Sequence, residues 1–138
     1  MAKSLKKIKY EIKELEMHSD ERGWFLEMFK RNELDKDIRQ VSTASLKPGV
    51  VKGNYYHLNK KEWFLVIGGK AEFYLVDSET KEKIRFKLNP EKPRVVTIFP
   101  KIAHAVKNIS KKTIYFVEAD SKIYNHKNPD ANPYLVCK

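Results

Sequence analysis

Residues 53–77 read "GNYYHLNKKEWFLVIGGKAEFYLVD", and the reading of this stretch decides the fold. Two apolar runs rich in aromatic and β-branched residues flank Gly68 and Gly69, too short for helices and of strand composition. A glycine pair supplies the positive φ of a tight turn, so the stretch is predicted to be a β-hairpin. Working outward, further short segments are bounded by turn residues: "IRFKL" after "SETKEK", "RVVTIF" after "NPEKP", and "TIYFVEA" after "NISKK". On the other side, "GWFLEMFK" and "RQVSTASLK" read the same way. In "KIKYEIK", Ile8, Tyr10 and Ile12 alternate with charge, as on a half-buried strand; Leu5, Ile8, Ile12 and Leu15 would also fit a helix, and the strand-like remainder decides for the strand. No segment between strands has the length and period of a crossover helix, so the prediction is an all-β, antiparallel sandwich or barrel.

The length of 138 residues and 41% apolar content suit one domain over residues 1–138 with one core. No apolar run reaches membrane-spanning length, and the opening "MAKSLKKIKYEIKELE" lacks a signal peptide's apolar block, so a cytoplasmic protein is expected. The single cysteine, Cys137, is given no redox role. The net charge of +10 comes from 28 Lys and Arg against 18 Asp and Glu. These are scattered and form no nucleic-acid motif; they suit a solvated surface, of the kind enriched in heat-loving organisms, and attraction of a small polyanion such as a nucleotide diphosphate.

Of the four histidines, His18 and His126 lie in polar, loop-like stretches and are expected on the surface. His57 and His104 sit at strand boundaries, where a jelly roll would bring them together with Glu62 around one open-ended interior. Two readings stay open: a divalent-metal set of two imidazoles and a carboxylate, for zinc or a similar ion, or histidines that only hydrogen-bond while Glu62 faces solvent.

The same residues resemble the cupin superfamily. "GNYYHLNKKEWFLVIGG" is similar to the first cupin motif, and "PKIAHAVKN", with Pro100, His104 and Asn108, to the second. Through "DERGWFLEMFK", "IRQVSTASLKPGVVKGNYYH", "IFPKIAHAV" and the tail "IYNHKNPDANPYLV", the chain resembles the nucleotide-sugar branch from about Asp20 onward. That branch holds the dTDP-4-dehydrorhamnose 3,5-epimerases and sugar ketoisomerases. The run "KPGVVKGNYYH" and the tail are most similar to the C-terminal cupin domain of capsular polysaccharide epimerase-reductases.

The resemblance implies a cupin jelly-roll homodimer that binds a nucleoside-diphosphate keto-sugar and needs no organic cofactor. It implies nucleotide contact by Arg22, crossing from the partner subunit, and substrate contact by Gln40, Lys52 and Asn54. A lysine at position 52 brings charge but no bidentate fork. The departures are specific. Tyr55 stands where this branch has its basic histidine and metal-binding cupins their first ligand, and Glu118 stands where the epimerases carry a proton-donating tyrosine. A phenol is a poor base at neutral pH. The expected chemistry is proton transfer next to a sugar ketone, with His57 as base, Tyr55 or His104 as donor, and either no metal or one divalent metal on His57, Glu62 and His104. A non-catalytic sugar-binding cupin and a metal-dependent cupin of other chemistry are the alternatives.

Overall fold

The computed structural model describes residues 8–30 and 37–138; Leu5, which favoured the helical alternative for the opening segment, lies outside them. Twelve strands follow in order among the described residues: β1 (Tyr10–Glu14), β2 (His18–Asp20), β3 (Gly23–Phe25), β4 (Gln40–Leu46), β5 (Val51–Tyr56), β6 (Glu62–Ile67), β7 (Ala71–Asp77), β8 (Lys83–Leu88), β9 (Arg94–Ile98), β10 (Ile102–Asn108), β11 (Ile114–Asp120) and β12 (Asn132–Pro133). One sheet has the order β1-β9-β6-β11-β4 and the other β12-β5-β10-β7-β8, with every pairing antiparallel. This is the antiparallel sandwich expected from the strand pattern, in the jelly-roll form that the cupin resemblance implies. Among the described residues, no helix is long and apolar enough to cross a membrane.

The core fills the space between the sheets. Phe64, Val66, Val96, Ile98 and Phe116 from one sheet meet Phe73, Leu75, Leu88, Ile102 and Val106 from the other. Phe64 and Phe73 touch across the gap with ring centroids 6.1 Å apart. Alternation places these residues inward, and the same period carries Glu62, Glu118 and Asp120 to the inner face at one end. On the outer face Trp63, Val95 and Ala119 form a second, smaller cluster under Leu15, Met28, Phe29 and Ile38.

The hairpin expected across Gly68 and Gly69 does not form. Strands β6 and β7 belong to different sheets, so the glycines make a corner that hands the chain from one layer to the other. Gly68 has φ +92°, while Gly69 is needed for close approach: a Cβ there would lie 2.5 Å from Ser110 Oγ and 2.7 Å from Ile114 Cγ2. The segment "GWFLEMFK" is strand only over β3, which pairs with β2 as a separate two-stranded ribbon. His18 opens β2 rather than lying in a loop, and it is exposed as expected.

The sheet edges differ in character. Strand β8 exposes Lys83, Arg85 and Lys87, charges that discourage strand addition. Strand β4 exposes Val41, Thr43 and Ser45 and carries no charge at all.

Candidate metal and proton-transfer site

Strand β5 delivers the site through a bulge. His104 pairs with Tyr55 but Ala105 pairs with Gly53, leaving Asn54 as the extra residue. Gly53 has φ +113° and Asn54 φ 62°, a conformation that asparagine tolerates better than most side chains. The bulge lets Tyr55 flank the cavity and places His57, just past the strand end, over the same inner face.

There His57, Glu62 and His104 converge, with exposures of 5%, 2% and 4%. The Nε2 atoms of His57 and His104 lie 2.8 Å and 3.2 Å from the same oxygen, Glu62 Oε1. Each imidazole donates its other nitrogen to a backbone carbonyl: His104 Nδ1–H to Ile102, at 3.1 Å, and His57 Nδ1–H to Asp130. A neutral imidazole held in this way presents a bare lone pair at Nε2. Neither Nε2 nor Glu62 Oε1 has a conventional hydrogen-bond partner. Three electron-rich atoms thus face one another in a buried position, an arrangement that requires a proton or a cation between them.

The electrostatics express the same tension. Burial works to lower the His57 pKa, but the adjacent Glu62 carboxylate and the Asp130 carbonyl leave it raised overall. Burial works to raise Glu62, but His104 and His57 hold it well below the usual carboxylate range. Beside Glu62 stand two more inward carboxyls. Burial, then the hydrogen bond to and charge of Glu62, push Glu118 up to about 9; burial and Glu62 push Asp120 up to about 7. Lys60 Nζ, 4.0 Å from Glu62 Oε2, offsets part of this negative charge.

The donor set fits a divalent metal. Two imidazole nitrogens with fixed tautomers and one carboxylate oxygen, all mutually within 4.8 Å, match the ligands and open coordination of a borderline ion such as zinc. Next to this point lies a cavity of about 200 Å³ lined by Lys52, Tyr55, Phe64, Phe116, His104 and Glu118, among others. Burial, followed by the charges of Glu62, Glu118 and Asp120, raises the Tyr55 pKa above that of an ordinary phenol, so this side chain keeps its proton.

The remaining sequence-derived site residues are dispersed. Lys52 lines the cavity and its Nζ donates to the Ser45 carbonyl at 2.8 Å. Gln40 uses Oε1 to accept the Tyr124 N–H and Nε2 to donate to Ser42. The Asn54 side chain is occupied by the tail: Oδ1 accepts from Val136 and Cys137, and Nδ2 donates to the Cys137 carbonyl. Arg22 lies outside the cavity, on the exposed β2–β3 ribbon, paired with Asp20 at 2.5 Å. Asn108 is wholly buried and structural, donating to the Leu46 and Lys112 carbonyls.

Asp120 and Asp130 escaped the sequence reading altogether, and Glu118 was read only as a replaced tyrosine. Glu118 and Asp120 had a legible signal: in "IYFVEAD", Phe116, Glu118 and Asp120 share one face, so carboxyls occupy inward positions beyond a core phenylalanine. Asp130 had none, because it meets His57 through a backbone carbonyl and the β5–β6 loop across more than 70 residues of sequence.

Residues 18–132 match the family of the polysaccharide biosynthesis C-terminal domain. The chain is 34% identical over 114 residues to UDP-2-acetamido-2,6-beta-L-arabino-hexul-4-ose reductase of Pseudomonas aeruginosa, a match covering 83% of this chain and 30% of the relative. Capsular polysaccharide assembling protein CapF from Staphylococcus aureus is 30% identical, with a TM-score of 0.69 over 88% of this chain and 33% of that one. The chain therefore spans about a third of the length of these relatives. A dTDP sugar isomerase from Desulfovibrio desulfuricans shares the fold, at 16% identity and a TM-score of 0.82, over 92% of this chain and 84% of that one.

Proposed function

Because this chain belongs to the polysaccharide biosynthesis C-terminal domain family, we propose that it binds a nucleoside-diphosphate keto-sugar and moves a proton next to the ketone, as an epimerase or isomerase of polysaccharide or deoxysugar synthesis. The observation that carries this reading is the meeting of His57 Nε2 and His104 Nε2 on Glu62 Oε1, beside a cavity with its own proton-bearing groups.

In this reading His57, Glu62 and His104 hold one divalent metal. When bound, it supplies Lewis acidity that stabilises negative charge on a ketone oxygen. His57 then serves as a ligand rather than as the base, because Nδ1 is tied to Asp130 and Nε2 is turned to Glu62. Proton movement falls to Glu118 and Tyr55, which line the cavity. Glu118, protonated up to about pH 9 and ionised more readily once a cation offsets the Glu62 charge beside it, takes in its ionised form the proton from the carbon next to the carbonyl, and the C–H electron pair passes to the ketone oxygen as an enediolate. Return of a proton from Tyr55 to the opposite face inverts the carbon; return from Glu118 to the former carbonyl carbon moves the ketone, the adjacent hydroxyl giving its proton to the old ketone oxygen as it becomes the new carbonyl. Lys52 contributes positive charge toward the diphosphate.

The exposed β2–β3 ribbon, with Trp24 49% and Phe25 61% exposed and Arg22 at its turn, together with the uncharged β4 edge, supports a homodimer in which Arg22 serves the partner's site. A nucleotide-sugar substrate supports a cytoplasmic setting.

The test is exchange of solvent deuterium into a panel of UDP- and dTDP-linked keto-sugars, with zinc or manganese supplied. Exchange next to the ketone is expected. Its absence with every metal and substrate, alongside calorimetric binding, would make the protein a binding module. Light scattering that gives a monomer at micromolar concentration would remove the dimer.

A further inference from the structure

His57 and His104 are held by unlike means. The carbonyl that receives His104 Nδ1–H belongs to Ile102, two residues earlier on the same strand, so forming β10 is enough to fix that ring. The carbonyl that receives His57 Nδ1–H belongs to Asp130, 73 residues farther along the chain. We propose that Asp130 is a positioning residue for metal binding, its docked loop keeping the His57 lone pair turned toward Glu62. This rests on the metal centre proposed above.

The dock is reciprocal. Asp130 Oδ1 accepts the Leu58 N–H at 2.9 Å and Oδ2 the Asn59 N–H at 2.8 Å, so one carboxylate ties down the loop that starts with His57 while its own carbonyl orients the ring. Asn132 Nδ2 braces the turn, donating to Asp130 Oδ1 and to the Tyr56 carbonyl. Farther along, the Tyr134 N–H donates to the Asn54 carbonyl and the Asn54 side chain holds Val136 and Cys137. With the Asp130 carbonyl withdrawn, the neutral His57 ring gains by carrying its proton on Nε2 and donating it to Glu62. That tautomer places a hydrogen on the Nε2 lone pair that would bind the metal. Outer partners of metal-bound histidines act in this way, and their loss weakens metal affinity about 10–100-fold.

The experiment uses cobalt(II) and zinc(II) as probes on the whole chain, with wild type, Asp130→Ala, Asp130→Asn and the milder Asn132→Ala. Wild type is expected to bind one cobalt, and ¹⁵N-edited spectra of the metal-free protein to show a slowly exchanging His57 Nδ1–H. Asp130→Ala loses that resonance and binds cobalt about 10–100-fold more weakly. Asp130→Asn, which keeps one acceptor oxygen, falls between. Should Asp130→Ala fail to fold, Asn132→Ala shows the same changes at smaller amplitude. If wild type binds cobalt and the folded variants bind it equally well, or the variants keep the Nδ1–H resonance, the positioning role is wrong and the metal centre stands. If wild type binds neither metal, the centre itself is wrong and the positioning role falls with it.

Discussion

Tyr55 is the direct cross-strand partner of His104, its ring edge-on to the imidazole with centroids 5.2 Å apart. The phenol therefore stands at the boundary between the His57–Glu62–His104 cluster and the cavity, with its proton retained. Tyr55→Phe keeps the ring packing and removes only the donor. The expected outcome is a loss of about 10²–10⁴-fold in deuterium exchange with cobalt affinity unchanged. Exchange at the wild-type rate would remove Tyr55 from the proton path.

Glu62 is the one carboxylate on which both imidazoles converge. Glu62→Gln is nearly isosteric and its amide can donate to one Nε2, so the fold is expected to survive. Elemental analysis after dialysis against zinc should fall from one equivalent to near zero. Retention of a full equivalent would place the metal elsewhere.

Most of the strands and their inward faces were legible in the sequence because alternation specifies which face is buried, and a slip of one residue would expose every core side chain. The partnership of strands was less so. The run through Gly68 and Gly69 has the residues of a hairpin, yet the close fit of Gly69 against Ser110 and Ile114, both more than 40 residues later, turns it into a corner between sheets. In the site, His57, Glu62 and His104 were found because imidazole and carboxylate at strand ends carry their chemistry in the side chain. Asn54 was read as a substrate contact, whereas the tail takes up its side chain, a long-range pairing that local pattern cannot show.

The inward carboxyls make a sign-definite forecast for pH. The folded pKa values of Asp120 and Glu118 are raised, to about 7 and about 9, above ordinary carboxyl values near 4. The folded state therefore holds protons that the unfolded chain has released, and their stabilisation is complete below about pH 4 and lost as pH rises through 7 and then 9. The raised His57 acts in the same direction, its contribution fading as pH climbs through its folded pKa. Glu62, with a depressed pKa, contributes above the ordinary carboxyl range and loses that only in acid. The metal-free protein should melt at progressively lower temperature from pH 5 to pH 9, and Glu118→Gln should flatten the upper part of that slope. Calorimetry at four pH values decides it; a melting temperature that rises across the range contradicts the assignment.

Gly53 bears on both fold and site. A Cβ there would sit 2.5 Å from the His104 carbonyl oxygen and 2.8 Å from Ala105 Cα, on a backbone with φ +113°. Gly53→Ala should cost about 1–3 kcal/mol from backbone strain alone and displace β10 at His104. Chemical denaturation measures the first effect and cobalt affinity the second. Wild-type values in both would show that the bulge is softer than its geometry implies.

The distance in sequence between His57 and the carbonyl that orients it has a temporal meaning. A chain emerging from the ribosome presents His57, Glu62 and His104 before Asp130, so the contact that orients His57 cannot form until the tail has been made. Until then His57 is free to take either tautomer. If the proposed metal centre holds, loading would be one of the last events of maturation, and a nascent chain lacking its tail would be a poor competitor for zinc.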